Sequence, residues 1–266
     1  MSGMSGRSGE VTVLYAGAEV PDPPALAAAT GVPVVTGPRD LAPYLEQARS
    51  QDATLVAVPA GTGRDLTSVT QAAQALQWAQ RSGTRVVLGP SLVDATRAIA
   101  ELRRHLRRAA ADHDGVLFLA RTVDPFADAE LVRRIRLARQ FSEDLEVEVA
   151  FEGSWPAPGA ARERLRRLGA RQVAEIRADL APGEDAGTVE PLFRDAALAT
   201  AVQRAVHTAV HLAGDHGDDG IAAGLLADHG TGFAHSHGDG DGHTHSHSPG
   251  HSHSHSHGHS HTHTHH

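Results

Sequence analysis

The sequence predicts an α/β protein: two tandem halves, each a mostly parallel sheet with helices on both faces, followed by a C-terminal tail too polar to form a core. Three observations lead there. Short β-branched runs alternate with longer stretches of helical period, and most of the runs are continuously apolar, as strands buried on both faces are. The order strand, helix, strand, helix, strand, helix occurs twice, over 11–112 and again over 114–213.

In the first half the strands are Val11 to Tyr15, Val32 to Val35, Thr54 to Val58 and Arg85 to Leu88; in the second, Val116 to Leu119, Glu146 to Phe151 and Gln172 to Ile176. Helical period fits Leu41 to Arg49, Leu66 to Gln80, Ala95 to Ala110, Ala127 to Glu143, Ala160 to Leu168 and Leu192 to Leu212. Asp65 and Thr67 precede the Val69/Ala73/Leu76 stripe and Asp94 precedes the Ile99/Leu102 stripe, both as start signals. Gly83 and Gly169 follow helix ends and suit left-handed caps. The first half is expected to differ in a shortened opening helix and in the extra strand at Arg85. The resulting division is 1–10 as a disordered N-terminus, 11–112 and 113–213 as the halves, and 214–266 as a disordered tail. Within that tail only Ile221 to Leu226 suits a brief helical turn.

Composition narrows the chemistry. The formal charge is −8 with His neutral, but near pH 7 roughly a quarter of the 20 His carry a proton, which moves the working charge towards zero. All 24 basic residues are Arg, interleaved with acids along helices rather than gathered in a block, so no nucleic-acid partner is expected. The clusters Arg103/Arg104/Arg107/Arg108 and Arg133/Arg134/Arg136/Arg139 read as solvated faces rather than an anion platform, and Trp78 and Trp155 as core or cleft-edge packing. The absence of Cys excludes disulfides, thiolate metal sites and Cys nucleophiles, leaving N and O ligands for any metal. With no apolar signal core and no run of about 18 apolar residues, no membrane partner and a cytoplasmic location are expected.

From His235 onward 14 of 32 residues are His: His235, His237, His243, His245, His247, His251, His253, His255, His257, His259, His261, His263, His265 and His266. Most form His-x-His with Ser, Thr or Gly between. Neutral imidazole binds borderline divalent ions at ~2.0 Å, and residues i and i+2 of extended chain project to one side. The expected cargo is cobalt, nickel or zinc, held in many interchangeable sites and released below about pH 6 as imidazoles protonate. The alternative is an inert low-complexity segment or a tag; the graded lead-in of His216 and His229 among Asp215, Asp218 and Asp219 favours the metal reading.

The second half also carries motifs. Gly115-Val-Leu-Phe-Leu-Ala-Arg-Thr-Val-Asp-Pro125 is followed by Ala127-Asp-Ala-Glu130, a helix containing Leu137-Ala-Arg139, and Val147-Glu-Val-Ala-Phe-Glu152. Pro158, the run Leu165-Arg-Arg-Leu-Gly-Ala-Arg-Gln-Val173 and Ala181-Pro-Gly183 continue the pattern. This resembles the class II chelatases, the sirohydrochlorin and cobalt chelatase family. In the first half Val13-Leu-Tyr-Ala-Gly-Ala-Glu-Val-Pro-Asp-Pro23 and Val56-Ala-Val-Pro-Ala-Gly61 stand at the family's two characteristic loops. The resemblance implies two chelatase-like domains facing each other over a cleft, a tetrapyrrole substrate, and insertion of a divalent ion in cobalamin or sirohaem biosynthesis. Oligomeric state is not indicated.

Ion insertion displaces two pyrrole protons, so a base must receive them. In the family that base is His, whereas here the turn positions hold Ala16-Gly17-Ala18-Glu19 and Ala120-Arg121-Thr122, and the later loop Gly61-Thr-Gly-Arg64-Asp65. The candidates left are Glu19, as a proton or metal acceptor or else a plain loop acid, and Arg64 and Arg121, as partners for substrate carboxylates. Arg64 with Asp65 equally suits a helix-start ion pair and cap, and Asp124 a turn and N-cap. The loop lacks the Gly-Lys-Ser/Thr of a nucleotide-binding P-loop. His207 and His211, at i and i+4, could clip one ion or be ordinary surface. Two functions therefore stand as expectations: a cobalt-type chelatase with a metal-gathering tail, or a non-catalytic metal store or chaperone on a degenerate chelatase scaffold.

Overall fold

The computed structural model describes residues 9–140, 145–181 and 189–230. The first sheet joins β1 (Glu10–Ala16), β2 (Val34–Val35), β3 (Thr54–Ala60) and β4 (Val86–Leu88) in the order β2-β1-β3-β4, all parallel. The second joins β5 (Gly115–Arg121), β6 (Glu146–Glu152), β7 (Val173–Arg177) and β8 (Val189–Pro191) in the order β6-β5-β7-β8, again all parallel. The helices are α1 (Pro23–Thr30), α2 (Ala42–Ser50), α3 (Leu66–Arg81), α4 (Ala95–Ala109), α5 (Pro125–Arg139), α6 (Pro158–Arg167), α7 (Asp195–His216) and α8 (Ile221–Leu225).

Both sheets are covered on both faces, which is why their central strands tolerate unbroken apolar runs. Along β1, Val13 and Tyr15 face Leu41, Leu45 and Leu76 of the α2/α3 layer, while Leu14 and Ala16 face the opposite core. Along β5, Leu117 and Leu119 pack with Ala161 and Leu165 of α6, while Val116 and Phe118 join that same opposite core. The shared core exists because the halves exchange their last helices. α4 follows β4 yet packs against α5 and β5; α7 follows β8 yet packs against α1, β3 and β4. Leu102 and Leu106 of α4 and Val202 and Ala209 of α7 thus lie in one cluster with residues of both sheets.

Three features depart from the sequence expectation. The second half has its own fourth strand, β8, so the strand at Arg85 is not an extra of the first half. The Pro191 of β8 hid it, and Pro is tolerated there because β8 is an edge strand. The short opening helix of the first half is α1, whose Asp22 carboxylate accepts from the Ala25 N–H and whose two prolines occupy the first helical turn. Beyond 213, α7 continues to His216, and the turn expected at Ile221 to Leu226 forms as α8 but with Ile221 buried in the core of the first half. There the Asp219 carbonyl accepts from Leu88 N–H and the Gly224 carbonyl from the Thr70 hydroxyl. One apolar turn suffices because those backbone groups find partners. The helix expected at 127–143 ends at Arg139, and its last predicted residues, 141–143, lie outside the described residues, as do residues 1–8 and 231–266.

Trp78 and Trp155 are 66% and 74% exposed, so neither is core. Trp78 sits on α3 opposite the buried Ala72, Ala73, Leu76 and Ala79, and Trp155 lies in the turn after β6. The glycines after α3 and α6 have φ of +83° and +101°, in the left-handed region expected of them.

The exchanged α4 is fastened to β8 through a buried histidine. His105 Nε2–H donates to the Leu192 carbonyl at 3.0 Å, Nδ1 lies 3.5 Å from Glu190, and Arg108 pairs with Glu190. Burial pushes the imidazole below its ordinary 6.5, against the hydrogen bond to Leu192; Arg104 and Arg108 push the same way as burial, and Glu190 opposes them. A histidine whose folded pKa is depressed contributes stability above the unfolded value and loses it as pH falls below about 6.5 towards the folded one. The urea midpoint is therefore expected to drop between pH 7.5 and 5.5, and His105→Gln to flatten that slope; an unchanged slope in the variant would assign the effect elsewhere.

Candidate inter-half site

Parallel strands expose the loops at their C-terminal ends, where ligand sites of α/β proteins gather. Here the loops after β1, β3 and β5 meet across the halves, and they meet through charge. Glu19, in the turn after β1, is fully buried. Its Oε1 accepts from the backbone N–H of Thr62 at 3.0 Å and of Asp65 at 3.2 Å; its Oε2 accepts from the Thr62 hydroxyl at 2.6 Å and from Arg64 Nε at 3.1 Å. Gly61 makes this approach possible, since a Cβ there would come within 2.8 Å of Glu19 Oε1. The glycine-rich turn thus does cradle an anion with its backbone N–H groups, and the anion is the chain's own carboxylate.

Arg64 carries the charge across. Nη1 donates to Asp128 of α5 at 3.1 Å, and Nη2 donates to the Arg121 carbonyl at 3.2 Å. In the other direction Arg134 of α5, only 3% exposed, donates to the Thr62 carbonyl at 2.7 Å and is held by Glu130 at 2.7 Å. Arg133 and Arg134 hold the Glu130 carboxyl well below its usual range, at about 2. A backbone bond from Leu180 N–H to the Glu19 carbonyl, 2.9 Å, completes the junction.

Of the three candidates from sequence, Glu19 and Arg64 are brought together, buried and mutually neutralised. Arg121 is placed differently. Its carbonyl accepts from Arg64, its N–H donates to Asp179 at 2.9 Å, and its side chain is exposed. Asp65 caps α3 through the Ser68 N–H, and the ion pair of Arg64 runs to Glu19 and Asp128 rather than to Asp65. Asp124 caps α5, accepting from Phe126 and Ala127 N–H. Thr62, Asp128, Glu130 and Arg134 were not singled out from sequence as site residues. Only the Glu130-x-x-Arg133-Arg134 spacing signals part of the arrangement, since i+3 and i+4 share a helix face.

Beside the network lies a cavity of about 440 Å³ between the halves, lined by Arg64, Phe126, Glu130, Arg134 and Asp228 among others. On its wall Arg134 pairs with Glu130, Arg64 is held by Glu19 and Asp128, and Asp124 accepts from backbone N–H groups of α5. Arg104, Arg108, Arg133 and Arg139 likewise pair with Glu101, Glu190, Glu130 and Glu146, as solvated faces do. Among the described residues no group of three His, Asp or Glu side chains is placed to hold a metal ion. His207 and His211 lie exposed on α7, and the fourteen His from His235 to His266 fall outside the described residues. No described helix is long and apolar enough to cross a membrane.

No protein-family model matches this chain, and no curated protein matches it either.

Proposed function

We propose that this chain handles divalent metal ions for tetrapyrrole biosynthesis, with the His-rich segment as the ion binder and the chelatase-like body as a non-catalytic scaffold. The observation that carries the reading is the state of Glu19. It is the acidic residue left in the turn where the resembled family carries its catalytic His, and both its oxygens are committed to Thr62, Arg64 and Asp65. A base for pyrrole protons needs a lone pair within reach of substrate and a pKa near the working pH. Glu19 is shut away, and Glu130, held at about 2, is too weak a base near neutrality. Cobalt, nickel or zinc is cargo in this reading, bound through imidazole nitrogen and passed on by exchange among equivalent sites.

A second reading, catalytic insertion of cobalt into a sirohydrochlorin-type ring, is favoured by the inter-half cavity. Its volume lies within the range of small-molecule sites, it sits at the strand C-termini, and the side chain of Arg121, the last residue of β5, is exposed. The two readings separate in one assay. Sirohydrochlorin and cobalt(II) are mixed with the intact protein and the absorption spectrum is followed. The scaffold reading expects no rate above the blank with metal alone, and saturable turnover lost in Arg121→Ala would establish the catalytic one.

A further inference from the structure

The C-terminal turns of α7 carry three exposed imidazoles that neither the core nor the inter-half site uses. The rings of His207 and His211 lie parallel, with centroids 6.5 Å apart and planes within 5°. The His216 ring meets His211 edge-on at 5.4 Å. On its other nitrogen His211 is already oriented: Nδ1 lies 2.7 Å from Asp215 Oδ2. A carboxylate that accepts a hydrogen bond from Nδ1–H fixes the tautomer and leaves the Nε2 lone pair free to bind a metal, the arrangement found behind metal-bound histidines.

Distances decide which pair acts first. Two imidazoles on one tetrahedral ion, with bonds of ~2.0 Å, hold their centroids roughly 5 Å apart. His211 and His216 already stand near that separation at 5.4 Å, while His207, 6.5 Å from His211, needs a change of side-chain rotamer to join them. No group of three acidic or imidazole side chains is placed to hold an ion among the described residues, so the pair His211 and His216 is the nearest approach to a site on this helix end. The location also favours a cation. These residues end a 22-residue helix, whose C-terminus carries the negative pole, and Asp215, Asp218 and Asp219 add charge of the same sign.

We propose that His211, flanked by His216 and His207 and backed by Asp215, is a binding site on the folded body for one borderline divalent cation such as zinc, nickel or cobalt. The site does not depend on the His-rich segment or on the function proposed above. It gives the body one fixed position at which an ion can be received.

The test uses the full-length chain with the fourteen His from His235 to His266 replaced by Gln, titrated with cobalt(II), nickel(II) and zinc(II) at pH 7.5 by calorimetry. One equivalent is expected to bind. His211→Ala in that background should weaken binding by at least about tenfold, and Asp215→Ala, which removes only the orienting carboxylate, by about tenfold while the stoichiometry stays at one. All these side chains are exposed, so circular dichroism and the urea midpoint should not move. No binding to the Gln-substituted chain would overturn the proposal, as would one equivalent bound with an affinity that His211→Ala leaves unchanged. Either result leaves the His-rich segment untouched, because its contribution is the additional capacity of the unsubstituted chain.

Discussion

Replacing Arg64 with alanine is expected to destabilise the folded body by about 3–5 kcal/mol. The guanidinium lies between two carboxylates, Glu19 and Asp128, with its side chain fully buried. Removing it strands the Glu19 charge away from water and cuts the main electrostatic tie between the halves. The mechanism makes a second, sharper expectation. Glu19→Gln keeps an acceptor for the Thr62 and Asp65 N–H groups but removes the charge, so in that background the loss of Arg64 should cost much less. The double variant should therefore fall well short of the sum of the singles, as coupled residues do. Urea unfolding followed by circular dichroism reads both quantities. An Arg64→Ala cost below about 1 kcal/mol, of the size found for exposed pairs, would show that the buried charges do not contribute to holding the halves together.

Much of the architecture was legible because it rests on local pattern. The apolar runs at Val13, Val56 and Phe118 mark strands buried on both faces, and the caps Asp65, Asp94 and Asp124 accept N–H groups of the helices they precede. Helix exchange was not legible, because it concerns which sheet a helix covers and not whether the helix forms. α4 and α7 have the same amphipathic pattern whichever partner they meet. β8 was hidden by its three-residue length and its proline, whereas the turn at α8 was legible and only the burial of Ile221 against the first half was not.

The site was half legible. Glu19 and Arg64 stood out as charged residues in loops after strands, but their distance of 45 positions in sequence gives no sign that they touch. Arg134 looked like one more arginine on a solvated helix, and its burial follows only from the approach of the Thr62 loop of the opposite half. Local pattern indicates where a charge sits along an element. Whether that charge meets water or another charge depends on how the two halves dock.

The other large effect concerns metal capacity. With two to four imidazoles per ion, the fourteen His from His235 to His266 correspond to roughly four to seven ions, against one on α7. Proton competition follows from the ordinary imidazole pKa of about 6.5, so most of that capacity should be gone at about pH 5. The account stands or falls on where the ions go. Equilibrium dialysis against cobalt(II) at pH 7.5, comparing the intact chain with the fourteen-fold His→Gln chain, should show several bound ions falling to about one. Equal binding by the two chains would contradict it, because the metal would then belong to the folded body.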